Sequence, residues 1–353
     1  MKLRIFGIPT ETGVGTHSTN LYEALKRLNL DSVEVEFISK YDLPKLAEAV
    51  ETSSSDDINI FLFRVVDLSN ILKGKKYFWY VFESSKPGLD PAVLLKEFDY
   101  LITPSKWGRD CLIKYGAPSD KVIVIPEGVN IWNYHPYLKP ARQKDKTRFL
   151  MLGKYETRKG YREAFAAFDE AIRTCPNMEL WIKPDWINGL ESFFVPEFKE
   201  EVDKYSHLPI ALVHGILSVA QLRQLYLSVD YFLFPSRCEA WGLPLIEAIA
   251  CGTPAICSEF GGQSEYLADI PGGYIPIPYD IQSVDCEKWM QDFSQGGSDF
   301  GKWAKINPSV LSSILISVCD VDFSEMAAQS SKIIRGRYSW DQSAYLLADA
   351  IFS

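Results

Sequence analysis

Short apolar, β-rich runs alternate with helical patterns almost from end to end of the chain, and this rhythm limits the fold more than any other feature. Strands separated by helices are joined by crossovers, so the sheets they build are parallel. In the first half the pattern predicts strands at 3–8, 33–38, 58–63, 77–82, 100–103 and 122–125, with helices such as 18–28 and 106–115 between them. Residues 133–147 are polar, basic and interrupted by proline, which marks a linker. A second series then predicts strands at 148–152, 179–183, 210–214, 231–234 and 254–258, and helices at 161–173, 218–228 and 244–251. Segment 279–301 breaks the rhythm and reads as a loop or insertion. Two doubly wound α/β halves are expected, residues 1–135 and 136–336, and such sheets take ligands outside the carboxyl ends of their strands.

Charge and cysteine usage narrow the function classes. The 353 residues carry a net charge of −9, from 37 basic and 46 acidic side chains, which disfavours a general nucleic-acid coat protein. The seven cysteines form no CxxC pair, so reduced thiols without a zinc site are expected. The opening MKLRIFGIPTETG is too short an apolar run for a secretory signal, and no stretch approaches 18 uninterrupted apolar residues. A cytoplasmic protein without a transmembrane segment is the expectation.

The segment richest in chemistry is YFLFPSRCEAWGLPLIEAIACGTPAICSEFGGQSE, residues 231–265. A buried strand ends at Pro235, Glu239 sits on the following loop, and Pro244 opens a helix that Gly252 stops. The amides near Gly242 and Leu243 then form a helix N-terminus, a site suited to a diphosphate. Glu239 before the helix and Glu247 one turn inside it are repelled by phosphate and suited to sugar hydroxyls. Taken singly, each is an ordinary surface acid. Lys154 and Lys159 lie five residues apart on the loop after strand 148–152, where a flexible loop can aim both ammonium groups at one diphosphate. Taken alone, they read as solvated lysines. Trp181, Trp186 and Trp340 fall within or beside apolar runs and read as core.

The string FPSxxExxGLPxxEAxAxGTPxI, followed by GGxxE, resembles the nucleotide-sugar site of the retaining glycosyltransferases of family 4, whose two glutamates have seven residues between them, as Glu239 and Glu247 do here. IPEGVN at 125–130, LGKYETRKG at 152–160 and RYSWDQSAYLL at 337–347 resemble further landmarks of that family in the same order. The resemblance implies a GT-B fold: two Rossmann-like domains facing across a cleft, with a C-terminal helix, residues 337–353, crossing back to the N-terminal, acceptor-side domain. It implies metal-independent transfer of a sugar, with Glu239, Lys154 and Lys159 as catalytic residues. Glu247, Gly242, Leu243, Trp241, Arg158, Glu265, Gly13 and Gly15 are the implied donor-binding residues. The family usually has Arg at the Lys154 position and Phe at the Trp241 position. Many members place a His after an early first-domain strand; the comparable WYVFESSKPG has none, which leaves Glu83 or His17 as candidates on the acceptor side.

The donor is expected to be UDP- or GDP-linked, no cofactor is implied, and the acceptor is a glycan, a glycolipid or a small molecule; a nucleic-acid acceptor stays open. No general base stands out, so a leaving phosphate oxygen is expected to take the acceptor's proton. Asp320 and Asp322 resemble the metal motif of a different glycosyltransferase fold but read as a chance acidic pair. Two other classes stay open at this point. Gly13 and Gly15, with Glu36 at ribose-binding distance, allow an NAD-type oxidoreductase, although the third glycine of that fingerprint is lacking. A noncatalytic nucleotide-sugar-binding protein is the other.

Overall fold

The computed structural model describes residues 1–9, 13–63, 68–137, 146–185, 191–285, 299–319 and 321–353. Met1–Asn130 together with Tyr338–Ser353 form one compact unit, and Ile131–Arg337 form the other. Unit 1 runs β1 (Lys2–Gly7), α1 (Gly13–Arg27), β2 (Glu34–Ser39), α2 (Leu43–Glu51), β3 (Ile58–Phe61), α3 (Leu68–Ile71), β4 (Lys75–Trp79), α4 (Pro91–Leu94), β5 (Tyr100–Thr103), α5 (Lys106–Lys114) and β6 (Val122–Val124). Its strands form one parallel sheet in the order β2-β1-β3-β4-β5-β6, with Ile5 opposite Phe37 on one side and Ile60 on the other. Helices cover the sheet, so the inner strands are buried on both faces and read as apolar runs. Helix starts carry the side chains that satisfy unpaired first-turn amides: Asp42, Asp90 and Ser105 accept from Lys45, Ala92 and Gly108.

Unit 2 runs β7 (Thr147–Lys154), α6 (Tyr161–Ala171), β8 (Met178–Asp185), α7 (Glu191–Lys204), β9 (Ile210–Leu212), α8 (Val219–Leu227), β10 (Tyr231–Phe234), α9 (Leu243–Ala250), β11 (Ala255–Cys257), α10 (Ser264–Leu267), β12 (Ile275–Pro276), β13 (Tyr279–Ser283), β14 (Lys302–Ile306), α11 (Pro308–Val318) and α12 (Ser324–Arg337). The strand order β12-β11-β10-β7-β8-β9 is that of a doubly wound nucleotide-binding sheet. The winding reverses between β7 and β10, whose carboxyl ends are neighbours in the sheet. Phe149, Phe165, Phe168, Leu180 and Leu233 fill the core beneath.

Several elements differ from the sequence expectation for identifiable reasons. Helix α1 begins at Gly13, five residues ahead of the predicted start, because packing overrides the poor helix propensity of Gly13 and Gly15. Part of segment 279–301, expected as a loop, is strand: β13 pairs antiparallel with β14, Tyr279 opposite Ile306. Its largely exposed residues hid it from a search for apolar runs. Helix α12 is polar, and its buried face is three small residues, Ala327, Ser330 and Ser331, with Ile334 as its one large apolar side chain. Its Ser331 hydroxyl donates to the Ala250 carbonyl at the end of α9, at 2.6 Å. The unit boundary falls at Asn130/Ile131 rather than 135/136, because Tyr134 is already buried in unit 2, its ring 6.1 Å from Tyr226. Trp340 is buried and Trp181 partly so; Trp186 lies outside the described residues. Among the described residues no disulfide forms, and no helix is long and apolar enough to cross a membrane.

The final helix, α13 (Trp340–Phe352), belongs to unit 1 and packs along α1, with Arg27 paired to Asp341 at 2.7 Å. The Val129 amide donates to the Tyr338 carbonyl at 2.8 Å, drawing the two segments together. A Cβ on Gly128 would stand 2.2 Å from the Trp340 nitrogen, so only glycine lets the backbones approach. Gly128→Ala is expected to destabilise unit 1 by about 3 kcal/mol through overpacking. In calorimetry the transition of unit 1 should move down while that of unit 2 stays in place; an unmoved thermogram would show that the helix does not need this approach.

Candidate active site

The carboxyl ends of β7 and β10 place two loops side by side at the point where the sheet of unit 2 reverses. After β7 a short 3₁₀ turn, Thr157–Lys159, leads through Gly160 into α6. Gly160 has φ +73°, and a Cβ there would lie 2.2 Å from the Pro235 carbonyl oxygen of the second loop. The Arg237 amide donates to the Arg158 carbonyl at 2.7 Å, and Arg158 Nη1 donates to the Cys238 carbonyl at 2.9 Å. The two loops therefore behave as one piece.

Glu239 is the centre of that piece. Its carboxylate accepts from Lys159 Nζ at 2.6 Å and from the Ser236 hydroxyl at 2.5 Å, and pairs with Arg158 Nη1 at 2.7 Å. Only 3% of the residue is exposed. Burial would push its carboxyl up, but the Arg158 and Lys159 charges and the bonds from Lys159 and Ser236 outweigh it and hold the group at about 2. The other arm of Arg158 meets Glu156 at 3.0 Å. Glu239 is also fixed through its backbone: the Gly262 amide donates to its carbonyl at 2.7 Å. Gly261, at φ +118°, permits this, since a Cβ there would sit 2.5 Å from the same oxygen.

Beyond Glu239 the chain passes through Trp241, buried edge-on against Tyr266 at 5.1 Å, to Gly242 at φ +88°, from which α9 starts at Leu243. Gly242 provides no side-chain cap; Pro244 has no N–H and the Leu245 amide donates to the Gly242 carbonyl at 2.9 Å, so the donor capacity of this helix start rests on the Leu243 amide. Glu247, one turn along, is buried and accepts from the Tyr226 hydroxyl at 3.0 Å. Lys154 ends β7, and among the described residues no ion pair or side-chain hydrogen bond holds it. Glu265 stands in the first turn of α10.

Lys159, Arg158 and Glu239 are thus brought together beside the start of α9, with Glu247 inside that helix. The loop expected to aim Lys154 and Lys159 at one diphosphate holds Lys159 against Glu239. A carboxylate as buried as Glu239 requires a counter-charge, and Lys159 supplies one. Ser236, Glu156, Arg237 and Tyr226 were not singled out from the sequence, because isolated polar residues near a motif carry no spacing signal of their own.

Gly13, Gly15, His17 and Glu83 belong to unit 1. The two glycines lie in the first turn of α1. His17 is buried on the same helix, its Nδ1 3.1 Å from Glu127, its ring edge-on to Trp79 at 4.5 Å. Glu83 is exposed after β4. Glu36, the acid a dinucleotide site would need, is engaged by Lys2 at 2.5 Å and by the fully buried Arg4 at 3.2 Å. Among the described residues no group of His, Cys, Asp or Glu is placed to hold a metal ion. Asp320 lies outside those residues, and Asp322 accepts from the Ser324 amide at the start of α12.

Two Rossmann-like domains with parallel sheets define the fold class, and solved GT-B glycosyltransferases share it. Anabaena Alr3699/HepE, solved with UDP-glucose, superposes with a TM-score of 0.72 at 15% identity, over 100% of this chain and 99% of that one. Sucrose-phosphate synthase from Thermosynechococcus elongatus gives 0.67 at 15% identity, over 99% and 98%. Residues 138–286, which contain the Glu239 cluster, match the family described as glycosyl transferases group 1. Glycogen synthase of Mycobacterium tuberculosis is 27% identical over 197 residues, 54% of this chain and 45% of the relative. D-inositol 3-phosphate glycosyltransferase of Segniliparus rotundus is 26% identical over 187 residues, 51% of this chain and 40% of the relative. The matches thus span less than half the length of these curated relatives.

Removing the charge of Glu239 leaves the buried Arg158 and the partly buried Lys159 without their shared partner. Glu239→Gln is expected to cost about 3 kcal/mol at neutral pH. Because the carboxyl sits at about 2 in the fold against an ordinary 4.5, its stabilising contribution is complete above 4.5 and is lost as pH falls towards 2. Denaturation midpoints of the two proteins should therefore differ most near neutrality and converge over that acid range. A constant gap across it would show that the charge is not what stabilises.

Proposed function

We propose that the protein is a retaining glycosyltransferase that moves a sugar from a UDP- or GDP-linked donor to an acceptor hydroxyl, with no metal ion and no cofactor. The observation that carries this reading is the Glu239–Lys159–Arg158 cluster beside the uncapped start of α9, at the reversal point of the unit 2 sheet. A diphosphate leaving group gains negative charge as its bond to the anomeric carbon breaks. Lys159, Lys154, Arg158 and the amides at Gly242 and Leu243 supply positive charge for it. Lys159 and Arg158 are oriented by Glu239 in advance, so little reorganisation is needed as that charge develops.

The same carboxylate stays ionised across the physiological range. It is available to oppose the positive charge that grows on the donor sugar, while Glu247 takes the ribose hydroxyls and Trp241 and Glu265 flank the donor. The acceptor's proton passes to a phosphate oxygen of the leaving group, which removes the need for a separate base. His17 and Glu83 are the residues we assign to the acceptor side, and Gly13 and Gly15 to donor binding. The relatives' names, glycogen synthase and D-inositol 3-phosphate glycosyltransferase, support a carbohydrate or polyol hydroxyl as acceptor.

Release of nucleoside diphosphate from a panel of UDP- and GDP-sugars, with and without sugar acceptors, tests the reading. Binding without turnover across the panel would instead indicate a noncatalytic binder. On the active donor, Lys159→Ala is expected to lower kcat/KM by roughly 30- to 150-fold, the equivalent of one hydrogen bond to a charged group. Unchanged kinetics at saturating and subsaturating donor would remove Lys159 from the site. Activity should also persist in EDTA; loss on chelation with recovery on adding manganese would overturn the metal-independent reading.

A further inference from the structure

Arg237 stands two residues before Glu239 on the loop that leaves β10, where an arginine beside a diphosphate site would ordinarily be read as a phosphate ligand. Its contacts give it another task. Nη2 donates to the Glu163 carboxylate in the first turn of α6, and Nη1 donates to Asp285 Oδ2, just beyond β13, at 3.1 Å. The residue is only 8% exposed, so its charge needs such partners. Its backbone is engaged as well. The amide donates to the Arg158 carbonyl at 2.7 Å, and the carbonyl accepts from the Ala304 amide of β14 at 2.9 Å. Four segments thus meet at one residue: the loops after β7 and β10, the start of α6, and the β13–β14 hairpin. The hairpin is itself well seated. Trp303, Ala304 and Ile306 of β14 are buried, and Gln282 of β13 donates to the same Asp285 oxygen at 2.8 Å.

We infer that Arg237 is a positioning residue that anchors the Glu239 loop to α6 and to the β13–β14 hairpin, and that the hairpin serves the site through this anchor. The inference rests on the reading above that the Glu239, Arg158 and Lys159 cluster acts on the donor. The doubly wound sheet ends at β12, and β13 and β14 form a separate two-stranded sheet that lengthens neither of its edges. What the hairpin does reach is the loop carrying Glu239. Arg237 is tied to Arg158 through the backbone, and Arg158 meets Glu239 at 2.7 Å, so a shift of the anchor moves both charged partners. Because carboxylates engage both its terminal nitrogens, Arg237 acts through these neighbours rather than on the donor. A cluster fixed in advance stabilises transition-state charge at little cost, whereas a loosened one must reorganise as that charge develops. Loosening therefore lowers turnover more than it weakens ground-state binding.

Steady-state kinetics on a donor that the wild type turns over, with calorimetric titration of its nucleoside diphosphate, tests this. Arg237→Met keeps the length and removes the charge. It should lower kcat roughly 10- to 100-fold, as for lost hydrogen bonds to a charged group, and change nucleoside diphosphate affinity less than about threefold. Arg237→Lys, which keeps a charge for one of the two carboxylates, should recover part of that loss. The Asp285 side chain is 64% exposed, so Asp285→Asn should lower kcat by only roughly two- to fivefold, the range of an exposed pair, and it decides the matter if Arg237→Met fails to fold. An anchor that mattered only to folding would lower the denaturation midpoint and leave the kcat of folded protein unchanged. Unchanged kcat in the variants that fold overturns the inference and leaves the transferase reading standing. Loss of nucleoside diphosphate affinity with kcat unchanged would make Arg237 a phosphate ligand, and overturns the inference as well. A fall in Arg237→Met with none in Asp285→Asn overturns the hairpin's part in it. A wild type that turns over no UDP- or GDP-sugar overturns the transferase reading itself.

Discussion

A single buried carboxylate organises the site of unit 2. Glu239 could not stay ionised in its surroundings without nearby cations, and Arg158 and Lys159 could not be packed so closely together without it. Each makes the other tolerable, and the partners come from different crossovers of the sheet. Backbone bonds between the two loops, Arg237 to Arg158 and Gly262 to Glu239, give the ion cluster a rigid support. The glycines around it follow from that closeness. Gly160 and Gly261 each stand where a Cβ would strike a carbonyl of the opposing segment.

The winding of the sheets was legible in the sequence because buried parallel strands must be apolar on both faces. Strands β5 and β10 match their predicted ranges, and α6, α8 and α9 lie within two residues of theirs at each end. Elements whose burial rests on small or polar residues were not legible. The seam of α12 is Ala327, Ser330, Ser331 and Ile334, a helical spacing with a single large apolar side chain. Strand β13 is mostly exposed and is held by pairing with β14 rather than by burial. Pattern reading detects hydrophobic area, and these elements offer little of it.

The site was legible in its residues more than in its contacts. The positions of Glu239 and Glu247 around a helix start followed from Pro244 and Gly252. That Lys159 would rest on Glu239, 80 positions away in the chain, did not follow, because no local spacing records a contact between two crossovers. Tyr134 illustrates the same limit. It lies in a segment that composition marks as linker, yet it is buried, its ring 6.1 Å from that of Tyr226.

Unit 1 is built from two stretches of chain with all of unit 2 between them. A ribosome extends the polypeptide from its amino end, so β1 to β6 emerge long before α13 does. Until residues 338–353 are made, the face of α1 that α13 covers, and the Gly128–Val129 backbone that meets Tyr338 and Trp340, lack their partner. The first domain to be synthesised is therefore the last to be completed. Its early form leaves apolar surface open to premature association for as long as the second domain takes to be translated.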